Sequence, residues 1–435
     1  MAACLLTIAA IAGIAASTTV QARRRDVLVE NGTFVDTRTG KEIILTGANV
    51  VMKGPPWIPS TDGDAVCGTT PASGSNTSCS TFNAADAAHL TQDLGYNMVR
   101  LGVAWAGGQP DGGDALDPAW VARLQAFLEL CHAHGIAVIL DVHQDAVGSA
   151  VCGEGMPLWY SKLAVPGSIG KPVTPIVGSF QQPDGTCGAN DTANWAAFAG
   201  DPDYNIKNPC CRILNQGNWG ALIPTWQAQA TMLHLFSAAG RAHYAKYMGL
   251  LSAAVDAYPA VVGIELMNEP PSVERWAMYA TWHACYDAIR AASPDLAVGV
   301  MDTGEAALGL GTFGIKKEQV AWLKGGGTHL FYAFHWYGNP KSVETAVANA
   351  KRIGAAWNMP VHLTEFGGYG GPGCHTQQTA AAAGVGSSYW HYDDYCYPKH
   401  CPDGAPDGHC PLPEGPRWGA CITGWGSGNS SFKCN

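Results

Sequence analysis

Two glutamates stand where short β-branched runs end. Glu269, within Asn268-Glu269-Pro270, follows the apolar run Val261 to Met267, and Glu365 closes the run Val361 to Thr364. Side chains at the C-terminal ends of parallel barrel strands share one face. The two carboxylates are therefore predicted to look into one pocket from opposite sides. A carboxyl kept protonated to donate to a leaving oxygen, facing a carboxylate kept ionised to attack the neighbouring carbon, is the minimum equipment for hydrolysing a glycosidic bond. Other polar or aromatic groups fall on strand ends as well: Arg100, His143, His335, Tyr337 and Trp390. A lone histidine in such a place is more often a satisfied structural group than a catalytic one. Their convergence on one face with the two glutamates is hard to explain as core filling, and it points to an enzyme.

The elements that must carry these residues recur regularly. Eight short apolar runs, Ile43 to Asn49, Met98 to Leu101, Ala137 to His143, Val261 to Asn268, Ala297 to Thr303, Leu330 to His335, Val361 to Glu365 and Gly384 to Trp390, are predicted strands. Helical patterns lie between them, among them Ala84 to Leu94, Pro118 to His134, Arg241 to Tyr258 and Val273 to Ala292. Near-continuous apolar strands alternating with helices imply parallel strands buried on both faces. Eight units predict an α/β fold, a single (β/α)8 TIM barrel, with an open doubly wound sheet as the competing arrangement. The segment Gln144 to about Trp226 breaks the rhythm and holds Cys152, Cys187, Cys210 and Cys211. It leaves the third strand on the active-site face and is expected to form a disulfide-pinned wall of the cleft, against the plainer possibility of a variable surface insertion. The expected organisation is a leader over 1–22, one catalytic domain over 23–395 with insertions at about 55–80 and 144–226, and a Cys-rich tail over 396–435 packed on the barrel.

Composition bounds the setting. The first 22 of 435 residues carry no charge, and the run Leu5 to Ala16 followed by Val20-Gln21-Ala22 reads as a secretory signal peptide, with a signal anchor held by Arg23-Arg24-Arg25 as the alternative. Cleavage would remove one of 15 cysteines and leave 14, an even number that suits disulfide pairing in an oxidising compartment. Cys131 and Cys285, in helix-like segments, are expected to be free core thiols. Triplets for N-glycosylation at Asn31, Asn76, Asn190 and Asn429 agree with a secreted or lumenal protein. The net charge of −10 argues against a nucleic-acid partner, and 47% hydrophobic with 14% charged residues argues for a large core. A monomer is expected.

Several signals lead elsewhere and are weak. Gly309-Leu310-Gly311-Thr312-Phe313-Gly314 matches a dinucleotide pattern, but no acidic residue closes the next strand. The tail cysteines, with His400 and His409, lack the paired spacing of a zinc site. His132 and His134 do not face one another on a helix end, and no GxSxG elbow is present. Neither a metal nor an organic cofactor is expected.

Arg100, His143, Asn268-Glu269, His335-x-Tyr337, Glu365 and Trp390 together resemble the motif set of glycoside hydrolase family five, retaining glycosidases on the (β/α)8 fold. The resemblance runs from about Asn31 to Trp390. It narrows with Gly47-Ala48-Asn49-Val50-Val51-Met52-Lys53-Gly54-Pro55-Pro56, Met98-Val99-Arg100-Leu101-Gly102-Val103-Ala104-Trp105, Asp141-Val142-His143-Gln144-Asp145 and Cys152-Gly153-Glu154-Gly155-Met156-Pro157. These look like the endoglycoceramidase branch, which releases sugar from ceramide. The resemblance implies that Glu269 is the general acid/base, its acidity weakened by burial and the second carboxylate, and that Glu365 is the nucleophile, kept ionised by Arg100 and Tyr337. Asn268 would hold the sugar 2-hydroxyl, His143 and His335 would line the reactive subsite, and Trp390 would be a platform for the sugar face. Lys53 and Asp145 would bind hydroxyls of the sugar next to the lipid. Three features depart from the branch: about 45 residues follow Trp390, too few for a C-terminal β-sandwich; Trp336 stands between His335 and Tyr337; and Gly367-Gly368-Tyr369-Gly370-Gly371 is glycine-rich. An endo-β-glucanase or β-mannanase acting on polysaccharide, and a glycan-binding barrel without catalysis, remain as alternatives. Contact with a membrane or micelle is expected through an apolar patch built from Pro55 to Pro59 and Met156 to Trp159.

Overall fold

An Asn-Gly pair begins the architecture. In the computed structural model, Asn31 and Gly32 both adopt positive φ (51° and 79°), the backbone that a two-residue hairpin requires. They join β1 (Val27–Glu30) to β2 (Thr33–Asp36), and β3 (Lys41–Glu42) completes a small antiparallel sheet. The structure describes residues 25–62, 66–69, 77–80, 82–148, 151–176, 185–201, 204–214, 222–270, 275–301, 329–337, 342–367, 373–390 and 392. The predicted leader and Cys-rich tail lie outside the described residues, as does Gly309 to Gly314.

The eight expected runs all become strands of one closed parallel barrel. With β5 (Val66–Thr69) and β6 (Thr77–Ser80) forming a separate hairpin, the barrel strands are β4 (Thr46–Val50), β7 (Met98–Gly102), β8 (Ala137–Asp141), β9 (Val261–Glu265), β10 (Ala297–Met301), β11 (Leu330–Trp336), β12 (Val361–Phe366) and β13 (Gly386–Tyr389). They pair in chain order, and β13 pairs with β4, which closes the ring and excludes the open sheet. Several expected runs are longer than the strands: Val142-His143 and Leu266 to Asn268 lie just past the last ladder residues of β8 and β9. Released from the ladder, these residues are free to turn over the barrel mouth.

The small sheet closes the opposite end. Phe34 on β2 packs on Phe331 and His362 with ring centroids 5.8 and 6.3 Å apart, in a buried cluster that includes Leu45, Met98, Ile139 and Val262. Arg25, buried to 1% exposure, donates to Asp256, Asp295, Ser293 and the carbonyl of Val261.

Helices fill the outer layer. Asp117 caps the backbone N–H of Trp120 to start Pro118–Ala133, and Ser237 caps Gly240 to start Ala238–Val255, three residues before the expected start. Arg275–Ala292 and Val343–Trp357 follow, the latter ending on Asn358 in the left-handed region. The expected helix Ala84 to Leu94 divides into an α-helix, Ala84–Ala88, and a π-turn, His89–Asp93. Cys131 and Cys285 are buried free thiols inside helices. The long insertion is more ordered than a loop: it contains helices Leu158–Ala164, Thr192–Ala196, Tyr204–Lys207, Pro209–Leu214 and Trp226–Phe236. Its adjacent cysteines divide their bonds, Cys211 to Cys152 and Cys210 to Cys187.

One local expectation is corrected, and one departure from the branch pattern finds its place. The patch expected from Pro55 to Pro59 and Met156 to Trp159 is mostly turned inward: Ile58 and Met156 are buried, and Trp159 Nε1 donates to the carbonyl of Gln109 at 2.8 Å. Trp336 is likewise buried in the hydrophobic core cluster, because alternate strand residues point to opposite faces.

Candidate active site

Arg100 is the hub of the site. It projects from β7 with no exposure, and a buried guanidinium needs partners on every donor. Its Nε donates to Glu265 Oε2 at 2.9 Å, Nη1 to Asn49 Oδ1 at 2.8 Å and to Glu365 Oε1 at 2.7 Å, and Nη2 to Asn268 Oδ1 at 3.1 Å. Nη2 also lies 3.0 Å from Asp141 Oδ1. Five side chains from the ends of four other strands, β4, β8, β9 and β12, are thereby fastened to one cation. Although burial works against its charge, the facing carboxylates hold the Arg100 pKa above its ordinary value.

Glu365 is delivered by a bulge. Phe334 pairs with Leu363 but His335 pairs with Glu365, so Thr364 is an extra residue on β12; across β13, Leu363 to Phe366 spans the register of Ser387 to Tyr389. A bulge at a strand end re-aims the next side chain. Glu365 meets Arg100 on one oxygen and accepts a hydrogen bond from the Tyr337 hydroxyl on the other, at 2.7 Å.

Glu269 sits in a strained turn, at φ 39°. Such backbone in a non-glycine residue costs about 1–3 kcal/mol and persists only where surroundings over-determine it. Gln144 supplies the constraint: its Nε2 donates to the carbonyls of Asn268 and Glu269 at 2.6 and 3.2 Å, while Asn268 Nδ2 donates back to the carbonyl of Gln144 at 3.1 Å. Burial pushes the Glu269 pKa up to about 7, helped by the negative charge of Asp145. His335 Nδ1 stands between the pair, 2.8 Å from Glu269 Oε1 and 3.5 Å from Glu365 Oε2, and burial lowers its pKa to about 4. A neutral imidazole links the two glutamates. Carboxylate oxygens of Glu269 and Glu365 approach within 4.8 Å. A crevice opens beside Glu269, lined by Gln144, Val147, Ile223, Gln229 and Met232.

A second polar cluster adjoins the first. His143 Nδ1 lies 2.6 Å from Asp141 Oδ2, and its ring stacks on Trp390 at 14° with centroids 5.4 Å apart. Burial opposes its protonation, but Asp141 and Asp145 raise the His143 pKa to about 10. Lys53 Nζ binds the Asp145 carboxylate, lies 3.4 Å from Glu154 Oε1, and stands 5.0 Å from the Trp390 ring centroid. All ten predicted site residues, Lys53, Arg100, His143, Asp145, Asn268, Glu269, His335, Tyr337, Glu365 and Trp390, therefore belong to two contiguous clusters.

The model of the cellulase family, glycosyl hydrolase family 5, matches residues 62–199 and 203–395. The chain belongs to glycosyl hydrolase family 5. Within that family it is similar to endoglycoceramidases: it is 34% identical to the enzyme so named from Cyanea nozakii over 120 residues, 28% of this chain and 21% of that protein. To endoglycoceramidase I of Rhodococcus hoagii strain 103S it is 25% identical over 288 residues, 62% of this chain and 45% of the relative. The chain thus spans less than half the length of the curated relatives it matches. Among solved structures, endo-glycoceramidase II from Rhodococcus sp., in a cellobiose-like imidazole complex, superposes with TM-score 0.58 at 21% identity, covering 84% of this chain and 76% of the other. That likeness shows the fold.

Among the groups in contact with the predicted site residues are five to which sequence reading assigned no role: Asn49, Asp141, Gln144, Glu154 and Glu265. A signal existed for two of them. Asp141 and Glu265 are charges inside otherwise apolar strands, a placement that demands a buried partner.

Proposed function

We propose that this chain is a retaining endo-β-glycosidase that hydrolyses the sugar–ceramide linkage of glycosphingolipids. The observation that carries the chemistry is the approach of the Glu269 and Glu365 carboxylates to within 4.8 Å. Retaining enzymes keep the pair at roughly 5–5.5 Å, whereas inverting ones leave roughly 6.5–9.5 Å for a water. Glu365, paired with Arg100 and Tyr337, attacks the anomeric carbon. Glu269 gives its proton to the departing ceramide oxygen. The glycosyl ester on Glu365 is then cleaved by water, whose proton returns to Glu269, and the anomeric configuration is restored. Asn268, anchored by Arg100 and Gln144, is placed to meet the 2-hydroxyl, and Trp390 offers its ring to the sugar.

The lipid specificity is supported by the endoglycoceramidase relatives and by the Lys53–Asp145 pair beside the reacting carboxylates. Contact with a membrane or micelle is supported by exposed apolar side chains at the insertion: Trp226 at 66%, Ile176 at 53% and Leu233 at 48%. A secreted or lumenal location is supported by the two disulfides and by the exposure of Asn31 and Asn190.

The purified chain is to be incubated separately with a ganglioside, glucosylceramide, carboxymethyl-cellulose and mannan, following free ceramide and new reducing ends. Ceramide release with the β-anomer formed first, abolished in Glu365→Gln, is expected. Reducing ends from the polymers alone would overturn the lipid reading, and an α-anomer formed first would overturn retention.

A further inference from the structure

The run Cys152 to Pro157 contains a buried acid that the mechanism above does not use. Glu154 is held against Asp145 by an antiparallel bridge, Asp145 N–H to the Glu154 carbonyl at 3.1 Å and Glu154 N–H to the Asp145 carbonyl at 2.9 Å. The glycines on either side make this approach possible. A Cβ on Gly153 would lie 2.3 Å from the Asp145 carbonyl oxygen, and one on Gly155, at φ +111°, would lie 2.5 Å from the Gln144 side chain. The run is fastened from outside by the Cys152–Cys211 disulfide and by Asn205, whose Nδ2 donates to the Gly153 carbonyl at 2.7 Å. This framework delivers a carboxyl 3% exposed to the sugar-binding cluster.

The groups facing it are Lys53, Asp145 and His143. Lys53 already has a full counter-charge in Asp145, and Glu154 Oε1, 3.4 Å from Lys53 Nζ, has no hydrogen-bond partner among the described residues. A second carboxylate in this dry site would face like charge at Asp145. Protonated, the same carboxyl is neutral and can donate a hydrogen bond to the Asp145 side chain. Burial pushes the Glu154 pKa up to about 8, with Asp145 adding to the effect and Lys53 opposing it.

We propose that Glu154 is a positioning residue for sugar binding: its protonated carboxyl locks the Asp145–Lys53 pair in place beside Trp390, and loss of that proton loosens the pair and weakens the grip on the sugar. The inference rests on the glycosidase reading of the site. It adds a proton-dependent element outside the catalytic glutamates.

The test measures cellobiose and lactose affinity by calorimetry in a Glu269→Gln background, so that the acid/base no longer titrates. Between pH 7 and 9, affinity of this parent is expected to fall about tenfold, as the competent fraction falls. Glu154→Gln, which keeps a neutral donor, should bind like the parent at pH 7 and hold that affinity at pH 9. Glu154→Ala should bind about tenfold more weakly at both pH values, with an unchanged melting temperature of the barrel confirming the fold. An alkaline loss that persists in Glu154→Gln, or full affinity in Glu154→Ala, would overturn the proposal, as would no binding of either sugar by the parent. Failure of the glycosidase reading shows separately, as absence of ceramide release by the unmodified chain.

Discussion

At the residue scale, the site divides its carboxyls by environment. Glu365 meets a guanidinium and a phenol, whereas Glu269 meets a neutral imidazole and burial. Burial stabilises the second in its acid form. Because the Glu269 pKa is raised to about 7, its proton is present below that pH and lost above it. We therefore expect kcat/KM to be high at pH 5–6 and to fall on an alkaline limb centred near pH 7, measured on a soluble aryl glycoside with a poor leaving group. Glu269→Gln should lower the rate by roughly 10²–10⁴-fold and abolish that limb. An unmodified enzyme with a flat profile through pH 9 would contradict the assignment of the acid.

At the scale of elements, one helix serves two surfaces. Trp226–Phe236 turns Met232 toward the crevice beside Glu269, while Trp226 and Leu233 remain exposed. Seven residues advance a helix by nearly two turns, so Trp226 and Leu233 lie on one side. Ile176 joins them, since its N–H donates to the Pro224 carbonyl and Trp226 N–H donates to that of Thr174. These three exposed apolar side chains lie at the end of the insertion and not in the Pro55 and Met156 segments, and they are the ones proposed above to meet lipid. Replacing Trp226 and Leu233 with Ser together should reduce turnover of glycolipid in vesicles at least fivefold while leaving hydrolysis of a soluble aryl glycoside within twofold. Equal losses on both substrates would mean that the pair shapes the site itself and not a lipid contact.

At the scale of the whole molecule, the two ends of the barrel have different tasks. The mouth collects charge around Arg100, while the opposite end is closed by the apolar face of the β1–β3 sheet. Phe34 is the central plug, and the barrel interior beneath it contains Phe331 and Leu45. Phe34→Ala should cost about 3–5 kcal/mol of unfolding free energy, the range for truncating a buried aromatic. Chemical denaturation provides the measurement, and a loss below about 1 kcal/mol would show that the sheet is dispensable for closure. Activity per folded molecule should be unchanged, since the plug and Glu365 lie at opposite ends of the strands.

Periodicity marked parallel strands alternating with helices in advance, because eight apolar runs between helical patterns leave few ways to bury both faces of every strand, and the β13–β4 pairing then chose the closed barrel over the open sheet. Residue type at the strand ends likewise marked Glu269 and Glu365, since polar groups beyond an apolar ladder must go to the mouth. The Asn31-Gly32 pair carries a hairpin signal that sequence reading did not use, since the strands it joins are short and lie outside the parallel rhythm. Other decisions needed the folded chain. The fivefold anchoring of Arg100 joins side chains up to 265 positions apart, and no local pattern encodes which buried cation meets which acid. The bulge at Thr364 depends on registers with two neighbouring strands. Glu154 reads as one glutamate in a glycine-rich run until the Asp145 bridge and the Cys152–Cys211 disulfide bring it beside Lys53. Hydrophobic period is a property of neighbours in sequence and is visible there, whereas burial of charge is a property of neighbours in space.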